Sequence, residues 1–181
     1  MLRYVRNSSC WALLLYGGAL ALWLCALPDR MLSDEHVHWS QVLRFAAGDW
    51  TVDPWLSTWP TMNALVSLPV RWLATQQLWV GRMTIACSAV LAFTGMLALQ
   101  LAVQPPTVSK DQAALRALQF MLAPITLLFS ILVYTDLPAL AALLWAAFGA
   151  VTGRRALLLA AGAMTVALRQ SHIVWLVALV L

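Results

Sequence analysis

Long apolar runs separated by short polar interruptions set the pattern of this chain. A bilayer core of about 30 Å needs about 20 helical residues. The first run, Cys10–Leu27, is preceded by Arg3 and Arg6. It reads as an uncleaved span or a signal peptide, and its length and lack of a small-x-small cleavage site favour the span. Gly81–Val103 reads as the second span, with Arg82 at its start. Pro105-Pro106 breaks the helix and opens a polar loop, Gln104–Arg116. Ala117–Val133 predicts a third span, Tyr134–Asp136 a polar turn, and Leu137–Thr152 a short, tilted fourth span. Arg154-Arg155 ends it, and Ala156–Leu181 is apolar except for Arg169, Gln170 and His172.

Residues 28–80 break this pattern. Five of the seven acidic residues and four of the ten Trp fall between positions 29 and 59. His38–Phe45 predicts a short helix. Asn63–Ala74 predicts a second one, amphipathic and lying on the membrane, because 12 residues are too few to cross it.

Composition narrows the class. The chain is 62% apolar and 10% charged, against about 25% charged in soluble domains, and its mean hydropathy is +0.81. An ordinary soluble domain and a disordered chain are both excluded. Trp favours the membrane–water interface, so the ten Trp read mostly as a belt. The net charge of +4 comes from scattered basic residues, which argues against nucleic acid as a partner. Cys10, Cys25 and Cys87 have no CxxC spacing and read as free thiols packed in helices.

Charge placement also orients the chain. Arg3, Arg6, Lys110, Arg116, Arg154 and Arg155 all fall on one side if the N-terminus is cytoplasmic. The acidic loop and the Tyr134–Asp136 turn then share the opposite side. Arg169 joins them, 14 residues beyond Arg155, or about 21 Å along a helix. The expected fold is therefore all-α, a polytopic membrane bundle. It has a long first extracytoplasmic loop, 28–80, that contains short interfacial helices. Residues 1–181 form one transmembrane domain. Its apolar end, Ile173–Leu181, suggests the N-terminal fragment of a longer chain.

The densest polar cluster is Ser33-Asp34-Glu35-His36-Val37-His38. Asp34 and His38 share a face if the segment is helical. DExxH is not the zincin HExxH, and no further ligand set lies nearby, so no metal site is assigned. The remaining readings are a general base at the membrane surface and a solvated loop capped by Ser33 or Asp34.

Asp34, Glu35, His38, Gln41, Gly48, Asp53-Pro54, Thr58 and Pro60 together resemble a known pattern. The dolichyl-phosphate-glucose-dependent α-1,2-glucosyltransferases carry a lumenal DExxH segment. It is followed by a Gln, a Gly, an Asp-Pro pair and a Thr-Thr-Pro-Pro-Gly-like turn. Here that turn reads Ser57-Thr58-Trp59-Pro60-Thr61. Phe129-Ser130 through Tyr134-Thr135-Asp136 resembles the family's Phe-Ser-x-x-Tyr-Tyr-Thr-Asp/Glu segment. Arg169–Trp175 resembles its Arg-Gln-Thr-Asn-Ile-x-Trp segment, with Ser171 and His172 in place of Thr and Asn. The three blocks keep the family's order.

The resemblance implies a GT-C membrane bundle with a catalytic acid in the first outer loop. It also implies glucose transfer with inversion from a dolichyl (polyprenyl) phosphate donor to a lipid-linked oligosaccharide, without a cofactor. The membrane is the endoplasmic reticulum in a eukaryote or the inner membrane in a bacterium. Such a transfer needs a base on the acceptor hydroxyl and a partner for the leaving phosphate. Asp34 is the expected base, with Glu35 the close alternative. His38 is expected to position the carboxylate or the acceptor. Arg169 is expected to meet the phosphate, or else to snorkel to the interface. Gln170 would add a donor. Asp136 would bind a sugar hydroxyl, pair with Arg169 or cap a helix. Asp53 would touch acceptor or simply start a turn. Arg44, Arg71 and Arg82 read as interfacial anchors. A mannosyl- or arabinosyltransferase of the same architecture, and a non-catalytic transporter or assembly subunit, remain the alternatives.

Overall fold

The computed structural model describes residues 2–180, with side chains over 9–179. Every regular element among them is helical. In chain order these are α1 (Leu2–Ala26), α2 (Glu35–Ala46), α3 (Thr61–Trp72), α4 (Leu78–Val103) and α5 (Lys110–Met121). They are followed by α6 (Pro124–Phe129), α7 (Asp136–Val151), α8 (Arg155–Leu168) and α9 (Ile173–Val180).

Two stretches are long and apolar enough to cross a membrane: Ser9–Ala26 in α1, and α4. The helices α7 and α8 are apolar but shorter, at 16 and 14 residues.

The bundle is built on α4, which packs along α7, while α7 in turn pairs with α8. Small residues make these approaches possible. A Cβ on Gly149 of α7 would sit 2.7 Å from the backbone nitrogen of Leu158 in α8, so the two helices touch through main chain. The turn between them ends on Gly153 at φ +69°, the left-handed conformation that closes many helices. On the other side α1 and α5 pack against α4 and each other. The Tyr16 ring stacks on Phe93 at 5.2 Å, and its hydroxyl meets Ser130 Oγ at 3.0 Å.

Two expectations fail between the second and fourth spans. The stretch read as a polar loop up to Arg116 becomes helical from Lys110. Ser109 accepts from the Gln112 amide and Gln112 returns a bond to Ser109, a capping box that starts α5 early. The expected third span, Ala117–Val133, is not one helix. It ends at Met121, restarts at Pro124 and stops at Phe129. Pro124 lacks the N–H that would continue α5, so it opens a new helix instead. Ile131, Leu132 and Val133 are then buried without being helical.

The two loop helices appear where expected, each slightly longer or shifted. They pair with one another, and α3 also leans on α4. Met62, Val66 and Val70 of α3 face inward, while Leu65, Leu68 and Trp72 stay exposed. The helix is thus apolar on two sides rather than one. The three cysteines are free, but they lie on exposed faces and not in the packed interior.

Candidate functional site

The three sequence blocks meet at one end of the bundle. The N-terminus of α2, the break between α6 and α7, and the break between α8 and α9 all contribute. Each is a point where helical hydrogen bonding stops and polar groups become available.

Asp34 occupies the N-cap position of α2, yet its side chain makes no capping bond. Among the described residues its carboxylate has no hydrogen-bond or ion-pair partner. It is exposed and lines a cleft of about 520 Å³, together with His36, His38, Asp53, Trp55 and Ser57. His36 turns back onto the Ser33 carbonyl at 2.9 Å. No group of three or more metal-ligating side chains occurs among the described residues.

Glu35, the alternative expected base, sits apart from the cleft. It is fully buried, with 0% exposure. Arg82 Nε and Nη2 donate to its two carboxylate oxygens at 3.0 and 2.7 Å. The backbone amides of Leu32 and Val133 donate to the same oxygens, each at 3.1 Å. Arg82 is correspondingly no interfacial anchor. At 4% exposure it turns inward from α4 and also donates to the carbonyls of Pro28 and Arg30. A buried charge pair survives only if its remaining lone pairs and protons are satisfied, and here backbone does that. Next to it, Gly81 lets Trp39 of α2 lie on α4, since a Cβ there would be 2.5 Å from the indole.

His38 lines the cleft, its ring 5.4 Å from that of Tyr134. Asn63 of α3 donates to the His38 carbonyl at 2.9 Å and also faces its Nδ1. Burial pushes the His38 pKa below its ordinary value, against the Asn63 bond and the charges of Asp136 and Asp34. The imidazole is therefore neutral near pH 7. Asn63 was missed in the sequence, where its signal was an amide four residues before Ser67 on the buried face of the helix.

The opposite wall is held by Gln41. Its amide donates to the Thr51 carbonyl at 2.8 Å and accepts from the Asp53 amide at 2.7 Å. Asp53 caps the Trp55 amide at 2.9 Å and has Arg44 3.7 Å away. Its carboxylate borders the cleft but is already engaged in shaping the turn.

Asp136 opens α7, and Arg169 lies in extended conformation between α8 and α9. The two form an ion pair through Arg169 Nη1. Both side chains are about one-third exposed, at 32% and 38%. The helix break turns Arg169 onto Asp136. Gln170 reaches across to the loop, donating to the Ser57 carbonyl at 3.2 Å and accepting from the Trp59 amide at 3.4 Å. Ser57 lines the cleft that Asp34 borders, so the acidic loop and the Arg169 segment share one rim.

The DIE2/ALG10 family model matches residues 28–181. This is a family of dolichyl-phosphate-glucose α-1,2-glucosyltransferases. No curated protein and no solved structure matches the chain. The chain belongs to the DIE2/ALG10 family. Members of that family are glycosyltransferases, which sets aside the non-catalytic transporter or assembly subunit.

Proposed function

We propose, starting from membership of that family, that the chain carries the catalytic end of a membrane glucosyltransferase. It moves glucose from a dolichyl or other polyprenyl phosphate to a lipid-linked oligosaccharide, forming an α-1,2 bond with inversion. The observation that carries this reading is the free Asp34 carboxylate on a cleft whose rim is tied by Gln170 to the segment bearing Arg169.

The chemistry divides between the two sides of the cleft. The acceptor hydroxyl gives its proton to Asp34, and its oxygen attacks the anomeric carbon. The bond from that carbon to the phosphate oxygen breaks, and the phosphate leaves with the electron pair. Arg169, held by Asp136 through one nitrogen, offers its other N–H groups to that phosphate. Gln170 adds no further charge but fixes the rim. His38, neutral, braces the floor of the cleft rather than taking the proton. Asp53 bears on the acceptor through the shape of the turn it caps.

In this reading the chain forms part of a polytopic GT-C-like bundle in the endoplasmic reticulum membrane, with a cytoplasmic N-terminus. The 28–80 loop, with exposed Trp50, Trp55, Trp59 and Trp72, lies among the lipid head groups on the far side. Donor lipids are met there.

The test uses the membrane-inserted protein with labelled polyprenyl-phosphate sugars and a lipid-linked oligosaccharide. Transfer of glucose, and its fall by roughly 1,000-fold or more in folded Asp34→Asn, is expected for loss of a base together with its charge. Preferential transfer of mannose or arabinose would overturn the assignment of the donor. Undiminished transfer by Asp34→Asn would overturn the assignment of the base.

A further inference from the structure

Asp34 stands where a helix-capping aspartate normally turns its carboxylate onto the amides of the first turn. Its backbone is at φ −77° and ψ 4°, outside the extended conformation that capping uses. The cause lies in its neighbours. The Leu32 amide is fixed on Glu35 Oε2, and the Asp34 amide donates to the Tyr134 hydroxyl at 2.7 Å. Ser33, between these two anchored amides, is driven to φ +51°. A non-glycine residue holds that left-handed conformation only where its surroundings impose it.

What imposes it is the buried pair. Glu35 ties the 28–32 segment to Val133, one residue before Tyr134, and Arg82 grips the Pro28 and Arg30 carbonyls from α4. We propose that Glu35 and Arg82 are positioning residues for Asp34: they strain the Ser33 turn so that the carboxylate is withheld from the helix cap and faces the cleft. This rests on the reading of Asp34 as the base. Without the pair, Ser33 relaxes and Asp34 swings into capping geometry. Its carboxylate then accepts backbone N–H bonds, which lower its basicity and remove it from the acceptor.

The experiment is a double-mutant cycle on the membrane-inserted protein, measuring glucose transfer and thermal unfolding for wild type, Glu35→Gln, Asp34→Asn and the double variant. Ser33→Pro is carried through the same cycle, because proline fixes φ at about −65° and so abolishes the left-handed turn while leaving the buried pair in place. The expected result is a fall in kcat of roughly 30-fold or more for Glu35→Gln and several-fold for Ser33→Pro, with KM little changed. The acidic limb of the kcat profile moves to lower pH in both. Neither substitution lowers the residual activity of Asp34→Asn further, since both act through that carboxylate.

An equal loss in both backgrounds would make the pair merely structural and overturn the proposal. So would an unchanged kcat in folded Glu35→Gln or, if that protein does not fold, in Ser33→Pro. In either case Asp34→Asn would still report separately on the base. Full activity in Asp34→Asn would instead remove the reading beneath the proposal, and the proposal with it.

Discussion

Two arginine–carboxylate pairs stand at the same end of this molecule and behave oppositely. Glu35–Arg82 is sealed, at 0% and 5% side-chain exposure, and backbone groups complete both partners. Asp136–Arg169 is about one-third exposed, and a single nitrogen joins its partners. Each joins a guanidinium to a carboxylate. Burial and the count of satisfied groups decide which pair is sealed frame and which stays open to solvent.

The sharpest way to break this contrast is to remove one partner from each pair. Arg82→Met leaves the Glu35 charge buried and alone, which costs about 3–5 kcal/mol. Little folded protein should survive purification, and thermal unfolding should read the loss directly. Arg169→Met should leave stability within about 1 kcal/mol, as partly exposed pairs do. Its transfer rate should instead fall by roughly 100-fold or more through loss of the phosphate partner. If both variants lost stability equally, the contrast would be wrong.

Asp136→Asn tests the open pair more gently. It keeps the shape and removes the charge that orients Arg169, so a loss of roughly tenfold in kcat/KM is expected with unfolding little changed. Gln170→Ala cuts the tether to Ser57 and Trp59. A rise of a few-fold in KM is expected, with kcat nearly intact, from steady-state assays at varied acceptor.

The smallest effect comes from His38. Its folded pKa lies below its ordinary value of about 6.5. The unfolded chain therefore takes up the proton first as pH falls. Stability should be at its full value above about pH 7, fall as pH drops through 6.5, and level off below the folded pKa. His38→Gln should flatten that part of the curve in a pH series of unfolding temperatures.

Much of this was legible in the residues. Hydropathy alone locates α1, α4 and α7, and the amphipathic and polar spacing locates α2 and α3. The middle was not legible, because an unbroken apolar run looks the same whether it forms one helix or two. Pro124 and the Ser109–Gln112 cap decide the matter locally, and a sliding hydropathy average does not weigh them. The sequence blocks single out Asp34, Asp136, Arg169 and Gln170, and the fold brings them to one end of the bundle. The parting of Asp34 from Glu35 was not, because their fates depend on Arg82 and the Val133 amide, 47 and 98 residues away from Glu35 in the chain. No local pattern encodes that partnership.

Those separations also set an order of events during synthesis. When the ribosome has delivered the first acidic loop, Glu35 has none of its distant partners. Arg82 follows only with the second long apolar helix, and Val133 and Tyr134 emerge some fifty residues later still. Until then the nascent loop carries an unmatched carboxylate. Completion of its fold is therefore a late step, timed by the arrival of chain made about a hundred residues afterwards.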